Sequence, residues 1–250
     1  MDNLIALVTG ANTGIGREIA RQLAEAGHTV YVGARDAHRG KAAVAEIGGD
    51  ARLLVLDVTD AASVAAAARA VPALDILVNN AGVSGDGTTV AEGPDAFRRI
   101  YETNVFGVVA VTNAFLPALR RSAHPRVVNI SSGTGSLAVT AARTPEIVAA
   151  AASGEAAAGG TMPPGTLAAY RSSKAALNEL TVIYAQALAA DGIKVNAMAP
   201  GLRRTALNPV AAAGGGDPAE AAAGAVRLAL LPEDAPTGEF VSWDGTPVPW

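Results

Sequence analysis

The chain of 250 residues contains no cysteine. That absence excludes a disulfide framework, a thiolate zinc site, an iron–sulfur cluster and a cysteine nucleophile. Histidine is almost as scarce, and His28, His38 and His124 are too scattered to assemble a metal site, so no metal is expected. Charge is thin as well: 17% of residues are charged, and 19 Lys and Arg stand against 23 Asp and Glu, for a net charge of −4. An acidic balance of this kind argues against a nucleic-acid partner. The mean hydropathy of +0.28 raises the question of a membrane. No run approaches the ~18 apolar residues a spanning helix requires, so no membrane partner is expected. Met1-Asp2-Asn3 offers no basic stretch before a strand-like run, which leaves no secretory signal to read and makes a cytoplasmic location the expectation.

What the chain does have is alternation. Short apolar runs at 4–8, 29–32, 52–56, 74–78, 126–130, 193–197 and 239–242 predict strands. Between them, alanine-rich segments at 14–26, 37–47, 61–70, 95–105, 107–120, 166–190 and 218–230 predict helices. Ile15, Ile19 and Leu23 recur on one helical face, and Gly27 supplies the stop. Strand and helix in turn mean βαβ units, hence an α/β fold: a doubly wound parallel sheet covered on both faces. The length suits one domain spanning 1–250. Residues 137–165 break the rhythm and read as an insertion, with a short helix expected only over 146–152. Residues 202–218 read as a substrate loop, with Gly214-Gly215-Gly216 as its flexible part.

The segment Thr9-Gly10-Ala11-Asn12-Thr13-Gly14-Ile15-Gly16 joins the first strand to the first helix. Its first glycine permits a tight turn, the next lets the backbone approach a pyrophosphate, and the last lets helix and strand pack closely. The helix then presents unpaired N–H groups and a positive dipole end to an anion. The strand before it and the helix after it are the context that the motif requires. At the end of the second strand, Ala34 stands where a carboxylate for a ribose 2′-hydroxyl would be expected, followed by Arg35 and, one turn on, Arg39. Two guanidiniums can fork a 2′-phosphate, which points to NADP(H). Asp36 admits a reading as the ribose acid, but is taken here as the cap of the second helix.

Together with Asn79-Asn80-Ala81-Gly82, Asn104, Ser132 and Tyr170-x-x-x-Lys174, this glycine loop resembles the short-chain dehydrogenase/reductase family over nearly the whole chain. Gly33-Ala34-Arg35-Asp36, Arg39-Gly40, the insertion before Tyr170 and the 230–242 segment are similar to its NADPH-dependent carbonyl reductases. Tyr170 and Lys174 share a helix face by their spacing, and a neighbouring ammonium lowers a phenol's pKa toward the range useful for proton transfer. Read alone, Y-x-x-x-K is an ordinary helix face; its place after the fifth strand gives it meaning. The resemblance implies that Tyr170 is the acid/base, that Ser132 rather than Ser131 hydrogen-bonds the substrate oxygen, and that Asn104 holds a water in a proton relay to Lys174. It further implies a cofactor site made of Gly10, Asn12, Thr13, Gly14, Ile15, Gly16, Arg35, Arg39, Asp57, Val58, Asn80, Ala81, Gly82, Tyr170, Lys174, Pro200, Gly201 and Thr205. Asp57 and Val58 match the adenine-binding pair, and Pro200, Gly201 and Thr205 the segment touching the nicotinamide carboxamide.

The expected activity is NADPH-dependent reduction of a ketone or aldehyde to an alcohol, reversible, on a small-molecule substrate. The alternatives are a 3-oxoacyl thioester reductase, whose carrier would need a basic docking surface beyond Arg120-Arg121 and Arg203-Arg204, and a non-catalytic NADP-binding sensor. Assembly is expected to stop at a monomer, with Ile147 and Val148 of the insertion covering the face of the Tyr170 helix that family tetramers pair; a homo-oligomer is the alternative.

Overall fold

The structure, a computed structural model, describes residues 3–85, 93–153, 166–207 and 214–250. Its strands are β1 (Ile5–Thr9), β2 (Thr29–Ala34), β3 (Ala51–Val55), β4 (Ile76–Asn79), β5 (Arg126–Ile130), β6 (Lys194–Ala199) and β7 (Phe240–Ser242). All pair in parallel, in the order β3-β2-β1-β4-β5-β6-β7. The chain winds outward through β1, β2 and β3, then returns to lay β4 against the other side of β1 (Ala6 beside Ile76, Val8 beside Val78). That reversal opens a crevice beyond the carboxyl ends of β1 and β4, where open α/β sheets bind ligands.

Both faces of the sheet are covered, which is why the strands read as continuous apolar runs. Val8, Val30, Val78 and Val128 pack with Ile19, Leu23, Ala222, Ala225 and Leu228 from α1 (Gly14–Glu25) and from a C-terminal helix, Pro218–Ala229. Leu7, Leu77, Val127 and Val195 point the other way. They meet Val64 of α3 (Ala61–Ala70), Phe115 and Leu119 of α5 (Gly107–Leu119), and Ala185 of α7 (Ala168–Ala187). Each large aliphatic side chain removed from water in this way contributes roughly 1.5–3 kcal/mol.

The elements expected over 37–47, 61–70 and 126–130 are found with those bounds: α2 (Ala37–Ile47), α3 and β5. Others shift by a few residues. Three differences bear on function. The predicted helix 95–105 is α4 (Pro94–Tyr101) followed by one π-turn, Glu102–Phe106, in which Gly107 N–H donates to Glu102 O, and α5 continues from it. Gly107 permits this path, since a Cβ there would lie 2.9 Å from Val58 Cγ2. The insertion is helical from its first residue: α6 spans Leu137–Ser153, carries Pro145 inside it, and starts where Ser136 Oγ accepts from Val139 N–H. Alanine-rich propensity prevails over the proline there, and the lost backbone bond lies on an exposed face. Residues 154–165, the rest of the insertion, lie outside the described residues, as does the 208–213 part of the substrate loop. Finally, Val148 is 60% exposed and Ile147 half-buried, so these two side chains do not cover the helix carrying Tyr170. The C-terminal helix, Pro218–Ala229, is α8 below. Among the described residues no helix is long and apolar enough to cross a membrane.

Candidate active site

The glycine loop forms one wall of a cleft of about 410 Å³ at the switch point. Gly10 and Gly14 have φ of +62° and +57°, a region that disfavours other residues. A Cβ at Gly10 would sit 2.9 Å from Ala81 Cα, and one at Gly16 would sit 2.3 Å from Asn80 Nδ2 and 2.8 Å from Gly10 O. The loop is therefore closed onto the end of β4 as well as onto α1. Thr13, the N-cap of α1, makes no side-chain capping bond, so the first-turn N–H groups stay available to an anion.

Of the residues assigned to a cofactor from sequence, Gly10, Asn12, Thr13, Gly14, Ile15, Gly16, Arg35, Arg39, Asp57, Val58, Asn80, Ala81, Gly82 and Thr205 all line this cleft. Pro200 and Gly201 do not border it, and neither do Tyr170 and Lys174, although Lys174 Nζ lies 3.8 Å from where a Gly82 Cβ would be. Asn80 does line it, but its side chain is spent on the fold, donating to Thr9 O at 2.9 Å and Gly10 O at 3.2 Å and so stapling β4 to the glycine loop. Sequence reasoning missed Thr59 and Thr103 on the cleft wall, and nothing in their local pattern marks them.

At the far end of the cleft Arg35 and Arg39 are exposed, and among the described residues neither joins an ion pair. Asp36 caps α2, accepting from Arg39 N–H at 2.9 Å, and that bond holds its carboxyl below the usual range. The cap role assigned from sequence is the one found. Asp57 accepts from Thr59 N–H and Oγ1, and those bonds together with the nearby Arg35 keep it ionised.

At the near end, β5 delivers two serines with different fates. Ser131 is buried, donating to Asn178 Oδ1 at 2.5 Å. Ser132 stays accessible, caps the turn Gly133–Gly135 with its hydroxyl 2.9 Å from Thr134 Oγ1, and lies beside the Tyr170 phenol. Gly135 lets this turn rest directly on α7, since a Cβ there would meet the Lys174 backbone at 2.8 Å. Lys174 is 4% exposed and its Nζ donates to Ile130 O at 2.7 Å, lying 5.8 Å from the Tyr170 ring centre. Burial brings the ammonium down to about 8. The phenol moves opposite to expectation: burial pushes Tyr170 up, and the neighbouring Ser132 hydroxyl offsets only part of that. Asn104 lies in the π-turn, fully buried, with its side chain engaged by Val83 N–H, Val83 O and Ser173 Oγ at 2.9–3.0 Å. Its amide thus ties the π-turn to Val83, in the segment after β4, and to Ser173 of α7.

The match of a family model, short chain dehydrogenase, over residues 4–144 and 155–213 accords with this geometry. The chain belongs to that family. Its members are oxidoreductases that bind nicotinamide cofactors. A similar curated protein is the (−)-isopiperitenone reductase of Mentha piperita, 36% identical over 96% of this chain and 96% of its own. Among solved structures, NADPH-bound carbonyl reductase from chicken fatty liver has a TM-score of 0.81 at 28% identity, with all of both chains covered. A 3-ketoacyl-(acyl-carrier-protein) reductase from Brucella melitensis, complexed with NADH, has a TM-score of 0.79 at 25% identity, covering 96% of each.

Proposed function

We propose that the protein reduces a ketone or aldehyde to an alcohol with NADPH, reversibly, with Ser132, Tyr170, Lys174 and Asn104 as its working residues. The observation carrying this reading is the convergence of Ser132, at the end of β5, with Tyr170 and Lys174 of α7, Lys174 Nζ lying 5.8 Å from the Tyr170 ring, beside the dinucleotide-sized cleft. The cleft fits the cofactor because side chains are excluded where a pyrophosphate would approach and the α1 N–H groups are unspent there. Glycine-loop residues would hold the pyrophosphate, Asp57 and Val58 the adenine, and Arg35 and Arg39 a 2′-phosphate. When bound, NADPH supplies a hydride.

The remaining steps belong to the chain. Ser132 donates a hydrogen bond to the carbonyl oxygen and orients it toward Tyr170. Tyr170, kept protonated by burial, gives its phenolic proton to that oxygen as the bond order falls. Lys174 stabilises the phenolate that results and returns a proton to it. Asn104 contributes by holding Val83 at the cleft wall; any water on the relay would have to use backbone here, since the side chain is engaged.

A 3-oxoacyl thioester remains the second substrate class, favoured by the likeness to the Brucella melitensis reductase. The arginines that a carrier would need are occupied: Arg120 pairs with Asp191, Arg121 donates to Pro72 O, and Arg203 is buried. The test is a screen of simple ketones, aldehydes and 3-oxoacyl thioesters with NADPH and NADH, followed by absorbance. We expect turnover of the simple carbonyls with NADPH preferred. Arg35→Ala should weaken NADPH binding about tenfold or more, as loss of a charge-assisted hydrogen bond does, and leave NADH nearly unchanged. Equal use of both cofactors by the parent would count against the 2′-phosphate assignment.

A further inference from the structure

Arg203 is the least expected feature of the molecule. It follows the Pro200-Gly201 turn at the end of β6, yet only 6% of it is exposed. Its Nε donates to Pro200 O at 2.7 Å, its Nη1 to Glu220 Oε2 at 2.5 Å and to Asp217 O at 3.5 Å, and its guanidinium carbon lies 4.2 Å from the Trp243 ring centre. One side chain thus ties together the turn after β6, the first turn of α8 and the segment after β7. A flat, five-donor group stacked on an aromatic face can do this; an ammonium cannot.

The backbone around it is shaped to admit it. Gly216 lies beside Arg203 in a parallel bridge, and a Cβ there would fall 2.1 Å from Arg203 Nη1. Across the same bridge Arg204 N–H donates to Gly216 O at 3.0 Å and Gly216 N–H to Leu202 O at 2.9 Å. Arg204 Nη1 adds a bond to Gly215 O at 2.8 Å. The segments 202–204 and 215–217 are therefore held side by side, with Arg203 as the peg beneath them. Thr205 is the next residue but one, and its Cγ2 lies 3.3 Å from where a Cβ would stand on Gly14, in the glycine loop itself.

We infer that Arg203 is a positioning residue for the dinucleotide site: by pinning 202–204 to 215–217 it sets Thr205 against the glycine loop at the phosphate end of the cleft. It touches neither substrate nor cofactor. The inference rests on the proposed function only in that the cleft binds a nicotinamide dinucleotide.

The experiment compares the full-length parent with Arg203→Met, Arg203→Lys and Glu220→Gln. Hydrogen exchange at the Arg204 and Gly216 amides reads the pin directly, and fluorescence titration with NADPH reads its consequence. In Arg203→Met both amides should exchange faster, and the Kd and KM for NADPH should rise by at least about tenfold, inside the ~10²-fold that a 1 Å misplacement can cost. Turnover at saturating NADPH should change far less. Glu220→Gln, which keeps an acceptor, should retain most of the affinity, and Arg203→Lys should recover only part of it. In a Trp250→Phe background, Trp243 is the one remaining tryptophan, and its emission should shift when the guanidinium above it is removed. Unchanged exchange, or an NADPH Kd within twofold of the parent in a folded Arg203→Met protein, would overturn the inference. A parent that binds dinucleotide but turns over no carbonyl would instead sink the proposed reaction and leave the pin standing. A parent that binds no dinucleotide overturns both.

Discussion

Tyr170 carries the most direct test at the scale of single residues. Tyr170→Phe keeps the ring and removes the proton, so turnover should fall at least ~10²-fold, the lower end of what general acid–base catalysis supplies, while NADPH binding persists. Steady-state kinetics beside a binding titration checks both halves, and near-normal turnover would refute the role. Lys174 gives a second test through linkage. Its folded value, about 8, is below its ordinary 10.5, so between those values the unfolded chain holds a proton that the folded chain has released. Stability should therefore rise from pH 8 toward pH 10, by up to ~1.4 kcal/mol per pH unit, and the cost of burying the charge is fully present below pH 8. Urea unfolding at several pH values would show this slope, and Lys174→Met should flatten it. The two shifts share one cause, burial, which keeps the phenol protonated and makes the ammonium ready to give up its proton.

Among the elements, the turn between β1 and α1 is the one the site tolerates least change in. Gly16→Ala would press a methyl group on Asn80 Nδ2 and on Gly10 O, and the second of these is backbone that cannot step aside. We expect a loss of ~1–3 kcal/mol in stability, the usual range for overpacking, together with a loss of NADPH binding larger than Arg35→Ala causes. Thermal unfolding and titration of the same preparation measure both. The π-turn at Glu102–Phe106 plays a comparable part: its register brings Asn104 under Val83, and single π-turns inside helices tend to occur at functional sites. Strand ends are equally consequential. β2 extends to Ala34, so Arg35 is the first residue to leave the sheet, and β6 extends to Ala199, so Pro200 and Gly201 begin the turn that Arg203 locks.

For the whole molecule the open question of sequence was assembly. Ile147 and Val148 do not bury the face of α7; α6 meets the first turn of α7 where Arg171 Nη2 donates to Thr140 Oγ1 at 3.2 Å, and meets the C-terminal residue where Ala138 N–H donates to Trp250 O at 2.9 Å. A monomer is still our expectation, on the length of the insertion before Tyr170. Light scattering at assay concentration would decide it, and a tetrameric mass would refute it.

Much of this molecule is written locally. The alternation of apolar runs and alanine-rich helices specifies a parallel sheet with two covered faces, because no other packing buries strands that are apolar throughout. The glycine loop was legible because its chemistry is backbone chemistry, confined to eight consecutive residues with a strand before and a helix after. Asp36 was legible for the same reason, since a cap bonds to a neighbour three residues away. The direction of the Tyr170 shift was not, because desolvation is set by what surrounds a group in space, which spacing along one helix does not report. Nor were the engaged amides of Asn80 and Asn104, whose partners lie about 70 and 21 positions away. Arg203 is the clearest case. In sequence it is one of two adjacent exposed-looking charges; its carbonyl partner is local, but only the meeting with two distant segments supplies the carboxylate and the indole that make burying a guanidinium there favourable.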